Sequence, residues 1–120
     1  MHFRQVGIRT QELEKSIEFY ESVIGLSVVR RVSGEDSKLA FLADAQGGTQ
    51  VELVNRPHMQ AFEREGFFLC FEADDLDATH ALATSKGLAP SDIRSPDAAS
   101  RYFYVYDPNK ISVQIRQKNS

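Results

Sequence analysis

The chain has 120 residues, 42% hydrophobic and 26% charged, the length and balance of one soluble globular domain. Its formal net charge of −3 gives no attraction to nucleic acid or to an anionic membrane surface. No run of about 18 apolar residues is present to span a bilayer, and Met1-His2-Phe3-Arg4-Gln5 has no apolar signal-peptide core, so a cytoplasmic location is expected.

In chain order, residues 3–9 predict a first strand. Residues 12–23 predict a helix, because Leu13, Ile17, Tyr20 and Ile24 recur at helical spacing on one face. Gly25 follows where a left-handed cap is expected. Three strands are expected near 27–32, 38–43 and 49–55, with Gly47-Gly48 turning between the last two. Residues 56–65 then serve as a linker. A strand at 67–73 leads to a second helix, capped by Asp74 or Asp75 and reaching about residue 86, with Gly87 after it. Leu76, Leu82 and Ala83 supply its apolar face. A short strand near 88–90 and a polar loop at 91–99, containing Pro96, come next. Strands at 101–106 and 111–116 form a hairpin around Asp107-Pro108-Asn109-Lys110. Cys70 is the single cysteine, which excludes an internal disulfide and a Cys-rich zinc site. Its apolar neighbours predict a buried, unreactive thiol.

These elements are one plan written twice. Leu13 and Ser16 match Leu76 and Thr79 at an offset of 63. Gly25-Leu26 matches Gly87-Leu88 at 62, and the same offset carries Phe41 to Phe103 and Val51-Glu52-Leu53 to Val113-Gln114-Ile115. Each half reads strand, helix, three strands: an α+β chain of two tandem βαβββ modules, 1–55 and 66–117, in one domain spanning 1–120.

Side chains alternate between the faces of a strand. Val51 and Leu53 share one face of their strand, and Gln50, Glu52 and Val54 the other. Ile111, Val113 and Ile115 form a wholly apolar face opposite Ser112, Gln114 and Arg116. Pairing Tyr106 with Ser112, Tyr104 with Gln114 and Tyr102 with Arg116 sorts apolar with apolar in the last hairpin. Phe68 takes the repeat position of Gln5. Gln5, Glu52, Phe68, Tyr102, Tyr104, Tyr106 and Gln114 therefore fall on the sheet faces turned away from the helices. Such faces either floor a polar and aromatic cavity or are exposed to solvent.

Three stretches carry a resemblance to a known family. They are Leu13-Glu14-Lys15-Ser16-Ile17-Glu18-Phe19-Tyr20 with Val23-Ile24-Gly25-Leu26, then Phe71-Glu72-Ala73-Asp74-Asp75-Leu76-Asp77-Ala78, and Tyr104-Val105-Tyr106-Asp107-Pro108-Asn109. With the duplicated plan they resemble the vicinal oxygen chelate superfamily of glyoxalase I, bleomycin-resistance proteins and extradiol dioxygenases. The resemblance implies curved mixed sheets with helices on the outer face, and it is specific for fold rather than activity. Lys110 stands where the family usually has Gly, which predicts a different turn there.

Metal-dependent members hold a divalent ion at four positions, which here are Gln5, Glu52, Phe68 and Gln114. Phenylalanine cannot ligate, and an amide is a poor substitute for a carboxylate, so the resemblance implies no metal site and no cofactor. His2, His58 and His80 are not placed to replace the missing imidazole.

The expected function is metal-independent binding of a small organic ligand by a homodimer of the bleomycin-resistance type. Phe68, Tyr102 and Tyr104 would stack on the ligand, Gln5 and Gln114 would orient it, and Glu52 would favour a cationic or donor-rich group. The alternative is a glyoxalase-like lyase, isomerase or thiol transferase with Glu52 as its catalytic base, with a weakly held divalent metal or none. A third reading is a vestigial pocket on a domain whose dimer surface alone matters.

Overall fold

A computed structural model describes residues 1–58 and 66–118. The expected linker therefore lies outside the described residues from position 59 onward. The chain divides into two compact units, residues 1–63 and 64–120.

In the first unit, β1 (Gln5–Arg9) leads into helix α1 (Leu13–Phe19), then β2 (Ser27–Ser33), β3 (Lys38–Ala43) and β4 (Gln50–Asn55). The four strands form one sheet in the order β1-β4-β3-β2. β1 runs parallel to β4, and the other neighbours are antiparallel. The Thr10 hydroxyl accepts from the Glu12 amide at 2.8 Å, turning the chain from β1 into the helix. α1 does not continue as α-helix to residue 23. It ends in a π-helical turn, Tyr20–Ile24, and Val23 rather than Ile24 is buried. The π turn breaks the 3.6-residue period on which that expectation rested. Gly25, at φ 90°, closes it as expected, with the Leu26 amide bonded to the Tyr20 carbonyl at 2.9 Å.

The second unit repeats the plan. It comprises β5 (Phe68–Ala73), helix α2 (Leu76–Ser85), β6 (Arg94–Asp97), β7 (Ser100–Tyr106) and β8 (Ser112–Gln117), with the sheet order β5-β8-β7-β6. Asp75 is the cap, its Oδ1 accepting from the Ala78 amide at 3.0 Å. The fold class is α+β with two βαβββ units, as expected.

Each helix packs on its own sheet. Ile8, Ile17, Tyr20, Leu42 and Leu53 are buried in the first unit, and Leu76, Phe103, Ile111, Val113 and Ile115 in the second. Full burial of side chains this size contributes about 1.5–3 kcal/mol each. An ion pair ties each helix to its sheet from outside: Glu14 to Arg31 at 3.2 Å, and Asp77 to Arg101 at 3.0 Å.

Three expectations are corrected. Leu82 is 38% exposed and is not part of the packed face of α2, which buries Leu76 and Ala83. No strand forms at 88–90: Gly87 and Ala89 both have positive φ, which breaks an extended run. The short strand lies instead at Arg94–Asp97, inside the expected loop and through Pro96. It is an edge strand of four exposed residues, so it carries no apolar alternation, and an edge tolerates a proline without an N–H.

Candidate functional site

The face of each sheet turned away from its helix carries the polar and aromatic residues. In the first unit, β1 and β4 place Gly7 opposite Glu52 and Gln5 opposite Gln50. Gln5 Nε2 donates to Glu52 Oε1 at 2.9 Å, and both side chains are half-buried. Glu52 is flanked on its other side by Phe41 of β3, and the Arg30 guanidinium of β2 lies 4.3 Å over the Phe41 ring. This patch is thus a held carboxylate beside a covered aromatic ring.

In the second unit, Tyr102 pairs with Arg116, Tyr104 with Gln114 and Tyr106 with Ser112, the register expected from sorting the apolar faces. Gln114 is 6% exposed, and both ends of its amide are engaged. Nε2 donates to the Tyr104 hydroxyl at 2.8 Å, while Oε1 accepts from Cys70 Sγ at 3.2 Å and from Arg116 Nη1 at 3.4 Å. Tyr104 meets Phe68 and Tyr102 edge to face, with ring centroids 5.8 and 5.9 Å away. Arg116 lies 5.2 Å over the Tyr102 ring. Phe68 is 50% and Tyr106 64% exposed, leaving aromatic surface available. A hollow of about 320 Å³ opens at this end, bordered by Ser91, Arg94, Tyr104, Tyr106 and Ser112.

The structure thus joins Gln5 to Glu52, and separately groups Phe68, Tyr102, Tyr104 and Gln114. Neighbours that sequence reasoning left out also share these faces. Cys70 is exposed rather than buried, and it bonds to Gln114. Partial desolvation is the main reason its thiol is held above the ordinary range; Glu72 adds to the shift and Arg116 opposes it. Phe41 was matched to Phe103, yet Phe41 pairs with Glu52 while Phe103 pairs with Ile115. The true counterpart of Phe41 is Tyr104, one residue further on, which places it on the opposite face from that expected. Arg101 is on the helix side with Asp77.

The histidines lie elsewhere. His2 and His58 are exposed, and His80 Nε2 sits 2.8 Å from the Ser91 carbonyl with its ring against Phe103. Among the described residues, no three His, Cys, Asp or Glu side chains cluster as metal ligands would.

The duplicated βαβββ plan has counterparts among known proteins. The model of the Glyoxalase/Bleomycin resistance protein/Dioxygenase superfamily matches residues 2–115. The chain belongs to that superfamily. It is 27% identical over 120 residues to a probable lactoylglutathione lyase of Vibrio cholerae, covering 92% of this chain and 86% of that one. Among solved structures it resembles TnmS3, an antibiotic binding protein from Streptomyces sp. CB03234, with a TM-score of 0.80 at 22% identity over 99% of this chain and 97% of that one. It also resembles the trypanothione-dependent glyoxalase I of Leishmania major, with a TM-score of 0.79 at 19% identity over 98% and 86% of the two chains. At these identities the two structures establish the fold, which in this superfamily serves both a binding protein and an enzyme.

Proposed function

We propose that this superfamily member binds a small organic ligand without a metal. The observation that carries this reading is the state of Gln114. Where the superfamily places a metal-ligating carboxylate, this chain has an amide whose oxygen already accepts from Cys70 and Arg116. A fixed guanidinium beside that oxygen opposes a divalent cation. Phe68, at another ligand position, has no donor atom and instead presents a half-exposed ring. A donor set of this kind does not suit a divalent ion, whereas aromatic rings with a few fixed polar groups suit an organic molecule. The likeness to an antibiotic binding protein agrees with this. The same reading takes the protein as a homodimer in the cytoplasm. Among the described residues, no helix is long and apolar enough to cross a membrane.

The test is the melting temperature of tag-free protein with nickel, cobalt, zinc, manganese and ferrous ions, then with a panel of aromatic small molecules. A ligand held only by the folded state at about a hundred times its Kd adds about 2.7 kcal/mol. The expected outcome is no metal shift and a saturable shift with at least one aromatic ligand. A metal-induced rise that Glu52→Ala abolishes would overturn the reading.

The likeness to a probable lactoylglutathione lyase supports a second reading, in which Glu52 acts as a general base in lyase, isomerase or thiol-transfer chemistry. Gln5 holds one carboxylate oxygen of Glu52 and leaves the other to accept a proton. Formation of lactoylglutathione from methylglyoxal and glutathione, lost in Glu52→Gln, would favour this reading.

A further inference from the structure

The directions of the hydrogen bonds on the second unit's face specify what a ligand there must offer; this step rests on the binding reading above. A guanidinium can only donate. The Gln114 atom 3.4 Å from Arg116 Nη1 is therefore oxygen, which orients the amide and sends Nε2 toward Tyr104. The Tyr104 oxygen, 2.8 Å away, has to accept that bond. The tyrosine's own proton is then unused, and no acceptor for it is found among the described residues. Ser91 does not supply one: its Oγ donates to the Asp92 carbonyl at 3.1 Å and accepts from the Tyr104 amide at 2.9 Å.

The charges point the same way. Tyr104 borders the hollow of about 320 Å³ together with Arg94, Ser91, Tyr106 and Ser112. The Arg94 side chain has no hydrogen-bond or ion-pair partner among the described residues. Arg116, further along the same face, has no carboxylate within ion-pair distance among them. Two carboxylates lie on this face by register, and neither borders the hollow: Asp97 is paired with Ser100, and Glu72 is paired with Arg116, while Ser112 at the hollow is paired with Phe68. Four residues along a strand separate the two positions by about 13 Å. Beside the hollow, therefore, lie the unused Tyr104 O–H and a guanidinium that can only donate, together with the Tyr106 and Ser112 hydroxyls, which can donate or accept, and the exposed ring of Tyr106. The volume is at the small end of ligand pockets and suits one or two fused rings.

We infer that this hollow takes an aromatic anion, a ring bearing a carboxylate or comparable anionic oxygen, whose oxygen accepts from Tyr104 and faces Arg94 while the ring lies against Tyr104 and Tyr106. The unit 1 patch, where the Glu52 carboxylate lies beside a Phe41 ring covered by the Arg30 guanidinium, carries both signs, so the preference belongs to this hollow and not to the chain's charge as a whole.

The experiment is isothermal titration of the full chain with three probes of one shape: 2-naphthoate, 2-methylnaphthalene and 2-(aminomethyl)naphthalene. Naphthoate is expected to bind about tenfold more tightly than either other probe, the range of one hydrogen bond to a charged group. Arg94→Gln removes no described contact, so it leaves the fold intact, and it should weaken naphthoate several-fold without affecting the methyl compound. Tyr104→Phe keeps the ring, removes the donor and should act alike. Preference for the amine, or equal binding of all three probes with both variants unaffected, would overturn this inference and leave the binding reading standing. Failure of every probe to bind would remove the binding reading of this face and the inference with it.

Discussion

Cys70 and Gln114 face each other across the parallel pair β5 and β8, with the thiol donating to Oε1 at 3.2 Å. The matching pair in the first unit is Gly7 and Glu52, where a Cβ on Gly7 would lie 3.5 Å from the Glu52 carboxylate. One repeat leaves room beside its carboxylate; the other fills that room with a thiol against an amide. Desolvation chiefly, with Glu72 adding and Arg116 opposing, holds the Cys70 thiol above the ordinary range. Only the thiolate is nucleophilic, so an exposed Cys70 should still react slowly near neutral pH. Iodoacetamide labelling followed against pH should show a midpoint above that of the urea-unfolded chain. Arg116→Gln should move the midpoint further up, and Glu72→Gln should move it down. A folded midpoint at or below the unfolded one would contradict the assignment.

Tyr104→Phe leaves Gln114 Nε2 without its acceptor in a residue that is 6% exposed. An unsatisfied buried donor costs about 1–3 kcal/mol, and part of Tyr104 is open to water, so a loss near the lower end is expected. Urea unfolding of Tyr104→Phe should show this loss. Adding Gln114→Met should recover part of it, because the orphaned amide is then gone. No loss in the single variant would mean that water replaces the hydroxyl.

Much of this arrangement is legible in the sequence, for a definite reason. Phe103, Val105, Val113 and Ile115 alternate so cleanly that only one register buries all four, and Tyr104 is thereby set opposite Gln114. Asp75 and Gly25 announce helix ends through local chemistry that needs no tertiary partner. What escaped reading depends on insertions and on contacts distant in sequence. From Phe41 to Glu52 is one residue longer than from Tyr104 to Gln114, so a repeat offset counted at the fourth strand misplaces the third. The π turn at Tyr20–Ile24 shifts a helical stripe that is otherwise regular. Cys70 sits among apolar residues in sequence, yet strand alternation turns it to the polar face beside Gln114. β6 has no apolar pattern because its four residues are all exposed.

The Asp77–Arg101 pair gives a pH signature. The Arg101 hydrogen bond is the main reason the Asp77 carboxyl is held below its ordinary range. A depressed folded-state value means that the pair stabilises the fold above the ordinary aspartate range, and that the contribution is lost as pH falls through the folded value. Both side chains are substantially exposed, so the effect is small and screened by salt. Asp77→Asn should lower the melting temperature slightly at pH 7 and low salt, and the difference should vanish at acid pH and in high salt. A difference that persists unchanged at acid pH would mean that packing of the side chain, and not its charge, is at work.

The last hairpin stores strain at one residue and holds it there with another. Lys110 sits at φ 64°, a left-handed conformation that costs a non-glycine residue about 1–2 kcal/mol. It is held there by Asp107, which is 4% exposed and whose Oδ1 accepts from the amides of Asn109 at 2.7 Å and Ile111 at 2.9 Å. The Lys110 amide closes the turn on the Asp107 carbonyl at 3.0 Å. The register of β7 on β8, and with it the placement of Tyr104 opposite Gln114, thus survives the absence of glycine at this position. Lys110→Gly should remove the backbone strain at some cost in unfolded-chain entropy, for a net gain of about 0.5–1 kcal/mol in urea unfolding. Asp107→Ala strips two amides of their acceptor, one of them buried, and should lose about 2 kcal/mol or more, while Asp107→Asn, which keeps an oxygen there, should lose less. If Lys110→Gly destabilised the protein, the lysine side chain would have to be making a contribution larger than the strain it sits in. Combining Lys110→Gly with Asp107→Ala separates the two effects, because a turn without strain depends less on the clamp that enforces it. The double variant should then lose less than the sum of the single effects predicts.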